Sequence, residues 1–463
     1  MPNIKNNTLV LCKHLDTLKI PIGEPKINKL DKLYQLIIKI YSSIDDIKIT
    51  QVSSESIEGQ PKMCLILEIL NYMFQRNLID TINLPKSDCQ FLKSLIIQNK
   101  HADIGLFLNQ HSQAIYQVLG DLIWNRKLPS TIQQKLDKYD SLIYGHFTPL
   151  NIQMEIENHN LTKNIYHIAY QGKTINLTTY IIKDRKIPVT KWNTIIKRLV
   201  LMALLSKINE INIDLYFTKQ EKKIGRNVTV LGPNEINSGV TSWGPTTKVA
   251  IFREEEINKL IIHELIHYCH LDFRNVDFPY IDSYNINPKT EIRLNESYTE
   301  VMANLINCIC CSYEYQNREN KELYKLFINY EIKYSIYQCA KILKIYGFKN
   351  YDEFNRPYDG QNKFKQQTSV FSYFLVKTAL LANLDQFSQF LNTYLEPNKM
   401  NTMNLTITNV PKAKESYVNL VHQCLQESSF KNLVNNTIQQ ISKAKTKISP
   451  KIKNTLRMTC IES

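Results

Sequence analysis

Residues 263 to 267 read His263-Glu264-Leu265-Ile266-His267. On a helix, positions i and i+4 stand one above the other, so both imidazoles reach a single metal ion. Glu264, about 100° round the axis, faces the space where a bound water would sit. From Leu260 to Cys269 the chain is apolar on every face except the sector that holds His263, Glu264, His267 and His270, which is the pattern of a buried helix. Buried ionisable groups cost several kcal/mol unless they are paired or bind a metal, so such a cluster needs a shared partner. A surface helix with solvated charges is the competing interpretation, and the apolar neighbours weigh against it. The expected ion is one Zn2+, held by His263 and His267.

A structural zinc site is closed by four protein ligands, whereas a catalytic one has three and leaves a position for water. Three candidates exist for the third ligand. His270 lies on the same stripe as the other two histidines of a straight helix and cannot wrap the ion from another side. A metzincin extension, H-E-x-x-H-x-x-G-x-x-H, needs Gly at 270 and His at 273, where this chain has His270 and Phe273. There remains a carboxylate further on. After a polar loop containing Pro279 and Pro288, Asn295-Glu296-Ser297-Tyr298-Thr299-Glu300 opens a second helical stretch that runs through Cys311.

With that segment the sequence resembles the gluzincins, the thermolysin-like superfamily of zinc peptidases. The resemblance implies Glu296 as the third ligand and Glu300, one turn later, as the acid that orients a zinc-bound histidine. Asn295 matches the first position of the family's N-E-x-x-x-D/E segment. The 29 residues from His267 to Glu296 exceed the thermolysin spacing, which leaves the intervening loop outside the pattern. The apolar stripe of Leu294, Tyr298, Val301, Leu305 and Ile309 would leave Glu296 and Glu300 on the opposite face, where solvated carboxylates are the competing expectation. Upstream, Asn237-Ser238-Gly239-Val240-Thr241 precedes a strand at Val249–Phe252 and then Glu254-Glu255-Glu256, acids suited to a helix N-terminus. The gluzincin layout implies an edge strand that pairs with substrate backbone, so Ser238, Gly239 and Val240 are candidate substrate-binding residues; an ordinary turn at Ser238-Gly239 is equally compatible with the residues. Zinc peptidases also hold the oxyanion of the reaction with a donor from the helical half, for which Tyr373 and His422 are candidates. Over about residues 195 to 311, the order N-S-G-V-T, strand, E-E, H-E-L-I-H is also similar to uncharacterised metallopeptidase-like proteins of giant DNA viruses.

The implied activity is peptide hydrolysis, with Glu264 as general base. Two rivals stand beside it. One is a catalytically inactive zincin-fold scaffold or virion protein, which would have no need of Glu264. The other is a nucleic-acid-binding protein, for which no recognised module is present. The net charge of +14 favours acidic partners, such as acidic peptide or protein substrates, without choosing among them. No apolar run approaches a membrane span, and Met1 to Ile20 lack the plan of a signal peptide, so the expected location is cytoplasmic: the host cytoplasm, or the virion if the source is viral. Ten cysteines without framework spacing agree with a reducing compartment, and Cys308, Cys310 and Cys311 are expected to be buried thiols. The Lys443 to Arg457 stretch and the closing Cys460-Ile-Glu-Ser463 read as a solvated basic end.

The expected fold is α+β and zincin-like. Residues 1–145 form a helical accessory domain, with helices over 30–40, 62–74 and 103–124. Residues 146–270 form an upper part, with strands near 152–157, 164–169, 174–182, 211–218 and 248–252, a helix near 190–207, and then the H-E-x-x-H helix. Residues 271–463 form a helical lower part with helices over 319–346, 366–382 and 415–426, and the cleft lies between the two parts.

Overall fold

The structure is a computed structural model. It describes the chain apart from residues 1–5, 19, 58–62, 101–102, 105–106, 108–110, 112–117, 119–126, 133–147, 225–227, 229, 243–247, 275, 362, 396–404, 444–449 and 463. Among the described residues the architecture is mixed: a six-stranded sheet and many helices. The strands are β1 Lys48–Ile57, β2 Leu161–Tyr170, β3 Lys173–Ile182, β4 Glu210–Tyr216, β5 Gly239–Thr241 and β6 Val249–Ile251, in the order β1-β2-β3-β4-β6-β5. The β3–β4 and β4–β6 pairs are parallel, and the rest are antiparallel.

Side chains alternate across the sheet as the pleat requires. Ile213, Leu215, Val249 and Ile251 enter the main core, while Tyr216 and Ala250 turn to a smaller cluster with Ile152, Ile156 and Phe252. Ile152 and Ile156 mark a correction. Ile152, Met154 and Ile156 alternate with polar residues and suggest a strand, yet residues Leu150–Asn158 form a helix. Ile152 and Ile156 are also i and i+4, and both are buried on one helical face.

The N-terminal stretch differs from an all-helical segment. Helices α1 Asn6–Thr17, α2 Asp31–Ser42, α3 Met63–Gln75 and α4 Lys86–Ile97 are interrupted by β1, which pairs antiparallel with β2. β1 is exposed along most of its length, so it carries no apolar alternation to read in sequence and is held through backbone pairing. Leu11, Leu33, Tyr34, Ile37 and Tyr41 belong to the same core as the sheet and the C-terminal helices, whereas Leu70, Met73, Leu92 and Ile104 belong to a separate small cluster. Most of the expected 103–124 helix lies outside the described residues.

The corrected helix is α5 Leu150–Asn158, followed by α6 Val189–Leu204. Then come α7 Ile257–Tyr268 and α8 Asn295–Gln316, which pack against each other, with α7 also against α6, β5 and β6. Helices α9 Lys321–Ile345, α10 Leu384–Tyr394, α11 Val410–Gln426 and α12 Ser428–Lys443 build the remainder, with a π-helical turn at Phe371–Val376 running into Lys377–Ala382. No helix among the described residues is long and apolar enough to cross a membrane.

The expectation of a solvated end holds for Lys443 and Lys453, which are exposed, and is corrected for the apolar residues and for Arg457. Ile452, Leu456, Met458, Cys460 and Ile461 are buried in the main core, and Arg457 pairs with Glu462 at 3.2 Å and lies 3.6 Å from Glu255. Cys308, Cys310 and Cys311 are buried thiols that take part in no disulfide.

Candidate metal centre

Helix α7 is buried on all sides, as its Leu and Ile content dictates, and it carries His263, Glu264 and His267 with 5%, 6% and 7% exposure. The acids expected at its N-terminus are there, but they form no side-chain cap. Glu256 occupies the N-cap with φ of 60°, and its carboxylate accepts from the backbone N–H of Met458 and Thr459 at 2.7 and 2.6 Å while pairing with Lys222 at 2.8 Å. Glu254 pairs with Arg185 and Lys191 instead.

At the other end, Cys269 caps the helix and His270 takes the left-handed conformation, with φ of 56°. The Leu271 N–H reaches back to Ile266 O at 3.0 Å, the bond of a Schellman turn. His270 therefore stands beyond the helix, exposed, beside Arg274 at 2.6 Å, and not on the histidine stripe. The same turn sends Asp272 back to His267.

Helix α8 brings two carboxylates against this face. Glu296 Oε2 lies 3.3 Å from Nε2 of His267 and 3.5 Å from Nε2 of His263. Glu300, fully buried, lies 2.9 Å from Nδ1 of His263 and pairs with Lys259 at 2.5 Å. Asp272 Oδ2 lies 2.8 Å from Nδ1 of His267 and accepts from Thr299 Oγ1 at 3.4 Å. Each imidazole thus has a carboxylate behind its Nδ1 and its Nε2 turned to Glu296, the arrangement in which an outer carboxylate fixes the tautomer of a metal-binding histidine. Neither Glu296 nor Glu300 is left as a solvated charge.

The electrostatics point the same way. Burial opposes ionisation of Glu296, but His267 and His263 outweigh it and hold the carboxyl well below the usual range. Burial also opposes charge on His267, yet Glu296 and Asp272 raise it well above an ordinary imidazole; Glu296 and Glu300 raise His263 against burial. Three carboxylates around two buried imidazoles make a place that calls for positive charge. Ligand atoms of His263, His267 and Glu296 all lie within 4.8 Å of one another. A tetrahedral ion with bonds of about 2.0–2.1 Å separates its ligand atoms by about 3.3 Å; the 3.3 and 3.5 Å from Glu296 to the two imidazoles suit a metal ion of that size.

Glu264 is not one of the three. Its Oε2 accepts from Thr241 Oγ1 at 2.7 Å, and a Cβ at Gly239 would lie 2.6 Å from its Oε1. The cleft in front of it holds about 1080 Å³ and is lined by Ser238, Gly239 and Val240 on one side and by Tyr373 on another. β5 is the outermost strand on its side of the sheet among the described residues. Tyr373, in the π-helical turn, donates to Glu296 Oε2 at 2.9 Å, and its ring lies 6.1 Å from that of His263. Burial, then Glu296 and Glu264, push its phenol well above the usual value. His422 is not a lining residue: it stacks on Tyr280 at 4.0 Å and meets the Tyr284 hydroxyl. The sequence carried no sign of the Thr241 contact with Glu264, and Lys259 and Asp272 were missed. Only Lys259 had a local signal, as a cation one turn before His263 on a buried helix face.

No family model matches the chain, and no solved structure matches it. Over 170 residues it is 27% identical to Uncharacterized protein R210 of Acanthamoeba polyphaga mimivirus, a match that covers 35% of this chain and 43% of the mimivirus protein.

Proposed function

We propose that this protein is a zinc-dependent peptidase with a gluzincin-like site. The observation that carries the reading is the division of labour among buried groups: His263, His267 and Glu296 converge on one point, and Glu264 faces the same cleft without joining them. Bound zinc would supply Lewis-acid polarisation of a peptide carbonyl and a water acidified toward neutrality.

The chain's own residues do the rest. Glu264 takes a proton from the attacking water and returns it to the leaving amine. Tyr373 stands where a hydroxyl can shift from Glu296 to the developing oxyanion. Ser238, Gly239 and Val240, on and beside the outermost strand, offer backbone to an extended peptide. A structural zinc site needs no spare carboxylate, so Glu264 held at its own hydrogen bond favours an enzyme over an inactive scaffold.

Similarity to the mimivirus protein supports a giant-virus source, with host cytoplasm or virion as its place of action. The positive net charge favours acidic substrates. The test is N-terminal mass spectrometry of a proteome incubated with wild-type protein and with Glu264→Gln. New termini should appear with the first and be lost with the second, while both keep zinc. Equal cleavage by both would end this assignment of the base.

A further inference from the structure

Strand β5 does more than offer an edge. In an antiparallel strand successive side chains face opposite sides of the sheet. Val240 turns to the cluster around Ile156 and Phe252, which leaves positions 239 and 241 facing helix α7. Both meet the same residue. Thr241 Oγ1 lies 2.7 Å from Glu264 Oε2 and 3.2 Å from the Glu264 backbone carbonyl. A hydroxyl has one proton, and the shorter approach to a charged oxygen takes it. The other oxygen, Oε1, stands so close to Gly239 that a Cβ there would meet it at 2.6 Å and the Glu264 Cγ at 2.9 Å.

We propose that Thr241 is a positioning residue for Glu264 and that Gly239 is the clearance it needs, so that the strand expected to pair with substrate also orients the base. This rests on the peptidase reading above. A β-branched threonine is stiff at χ1, so a hydroxyl fixed by the strand holds the carboxylate with little freedom. One oxygen is engaged by Thr241, and the other is confined against bare backbone and left to exchange a proton.

The experiment compares Thr241→Val, which keeps the shape and removes the donor, with Thr241→Ser, which keeps the donor, and with Gly239→Ala. Each is assayed as the zinc-loaded full chain for kcat and KM, zinc content and melting temperature. In parallel, the side-chain 13Cδ resonance of Glu264 is followed in glutamate-labelled protein, assigned by its loss in Glu264→Gln. Thr241→Val should lower kcat about 10- to 100-fold, the worth of a hydrogen bond to a charged group, with KM within about twofold and zinc unchanged. Thr241→Ser should restore kcat to within about threefold and return the resonance to its wild-type position. Gly239→Ala should move the resonance and lower kcat while zinc is retained.

Wild-type kcat and an unmoved resonance in Thr241→Val would overturn the proposal, as would a serine variant no better than valine. Should the valine variant fail to fold, Thr241→Ala reads the same loss. If wild-type protein hydrolyses nothing, the peptidase reading falls, while the resonance alone still decides whether Thr241 holds the carboxylate.

Discussion

His267 Nδ1 lies 2.8 Å from Asp272 Oδ2, although Asp272 stands beyond the end of the helix that carries the histidine. The left-handed residue His270 makes this possible by turning the chain back on its own last turn. His263 has the same relationship with Glu300, a residue of the neighbouring helix, at 2.9 Å. Two histidines of one motif are thus oriented by carboxylates of different origin, one local and one tertiary.

If the three converging side chains are the ligands, the purified protein should hold about one zinc per chain after dialysis. His263→Ala, His267→Ala and Glu296→Ala should each lose it. Inductively coupled plasma mass spectrometry decides: stoichiometric metal in all three variants would remove the basis of the site.

Outer carboxylates should cost less than ligands. Asp272→Ala and Glu300→Ala are each expected to weaken zinc about 10- to 100-fold in a chelator competition titration. Glu300→Ala also leaves Lys259 buried without its partner and should lower stability by about 3–5 kcal/mol in urea unfolding, a loss Asp272→Ala should not share. His270→Asn, which tolerates the left-handed turn and removes the exposed imidazole, should leave zinc affinity unchanged. A titration that ranks His270 or Asp272 above Glu296 would contradict this ligand set.

Tyr373→Phe removes a hydroxyl that donates to Glu296 in this structure. As an oxyanion donor it should cost about 100-fold in kcat with zinc retained. Loss of zinc affinity with kcat intact in metal-saturated enzyme would instead make Tyr373 a support for the ligand alone.

Glu256 ties the start of helix α7 to the C-terminal segment through the Met458 and Thr459 N–H groups, and its own N–H donates to Glu462 at 2.7 Å. Glu256→Ala would strand Lys222 and two buried N–H groups. It should destabilise the fold by about 3–5 kcal/mol in urea unfolding and weaken zinc with it. A variant as stable as wild type would show that this junction is not structural.

What the sequence determined by itself was local. Periodicity and apolar flanks are enough to place His263, Glu264 and His267 on one buried helix, because i and i+4 spacing acts within a few residues of chain. The strands β2 and β3 and the helix from Val189 were legible for the same reason: each carries its apolar pattern within itself. Glu296 and Glu300 could be named only through a resemblance, since their stripe alone suited solvated charges equally well.

Tertiary structure decided the rest, because the remaining polar residues gain meaning only from partners remote in the chain. Thr241 meets Glu264 across 23 residues, and Lys259 meets Glu300 across 41. The basic C-terminal stretch looked solvated because charge in a sequence defaults to water. Yet Arg457 is buried beside Glu462 and within reach of Glu255, and Leu456, Met458, Cys460 and Ile461 fill the core around it. A buried charge is tolerated only with its counter-charge, and a one-dimensional pattern does not say which distant carboxylate will arrive.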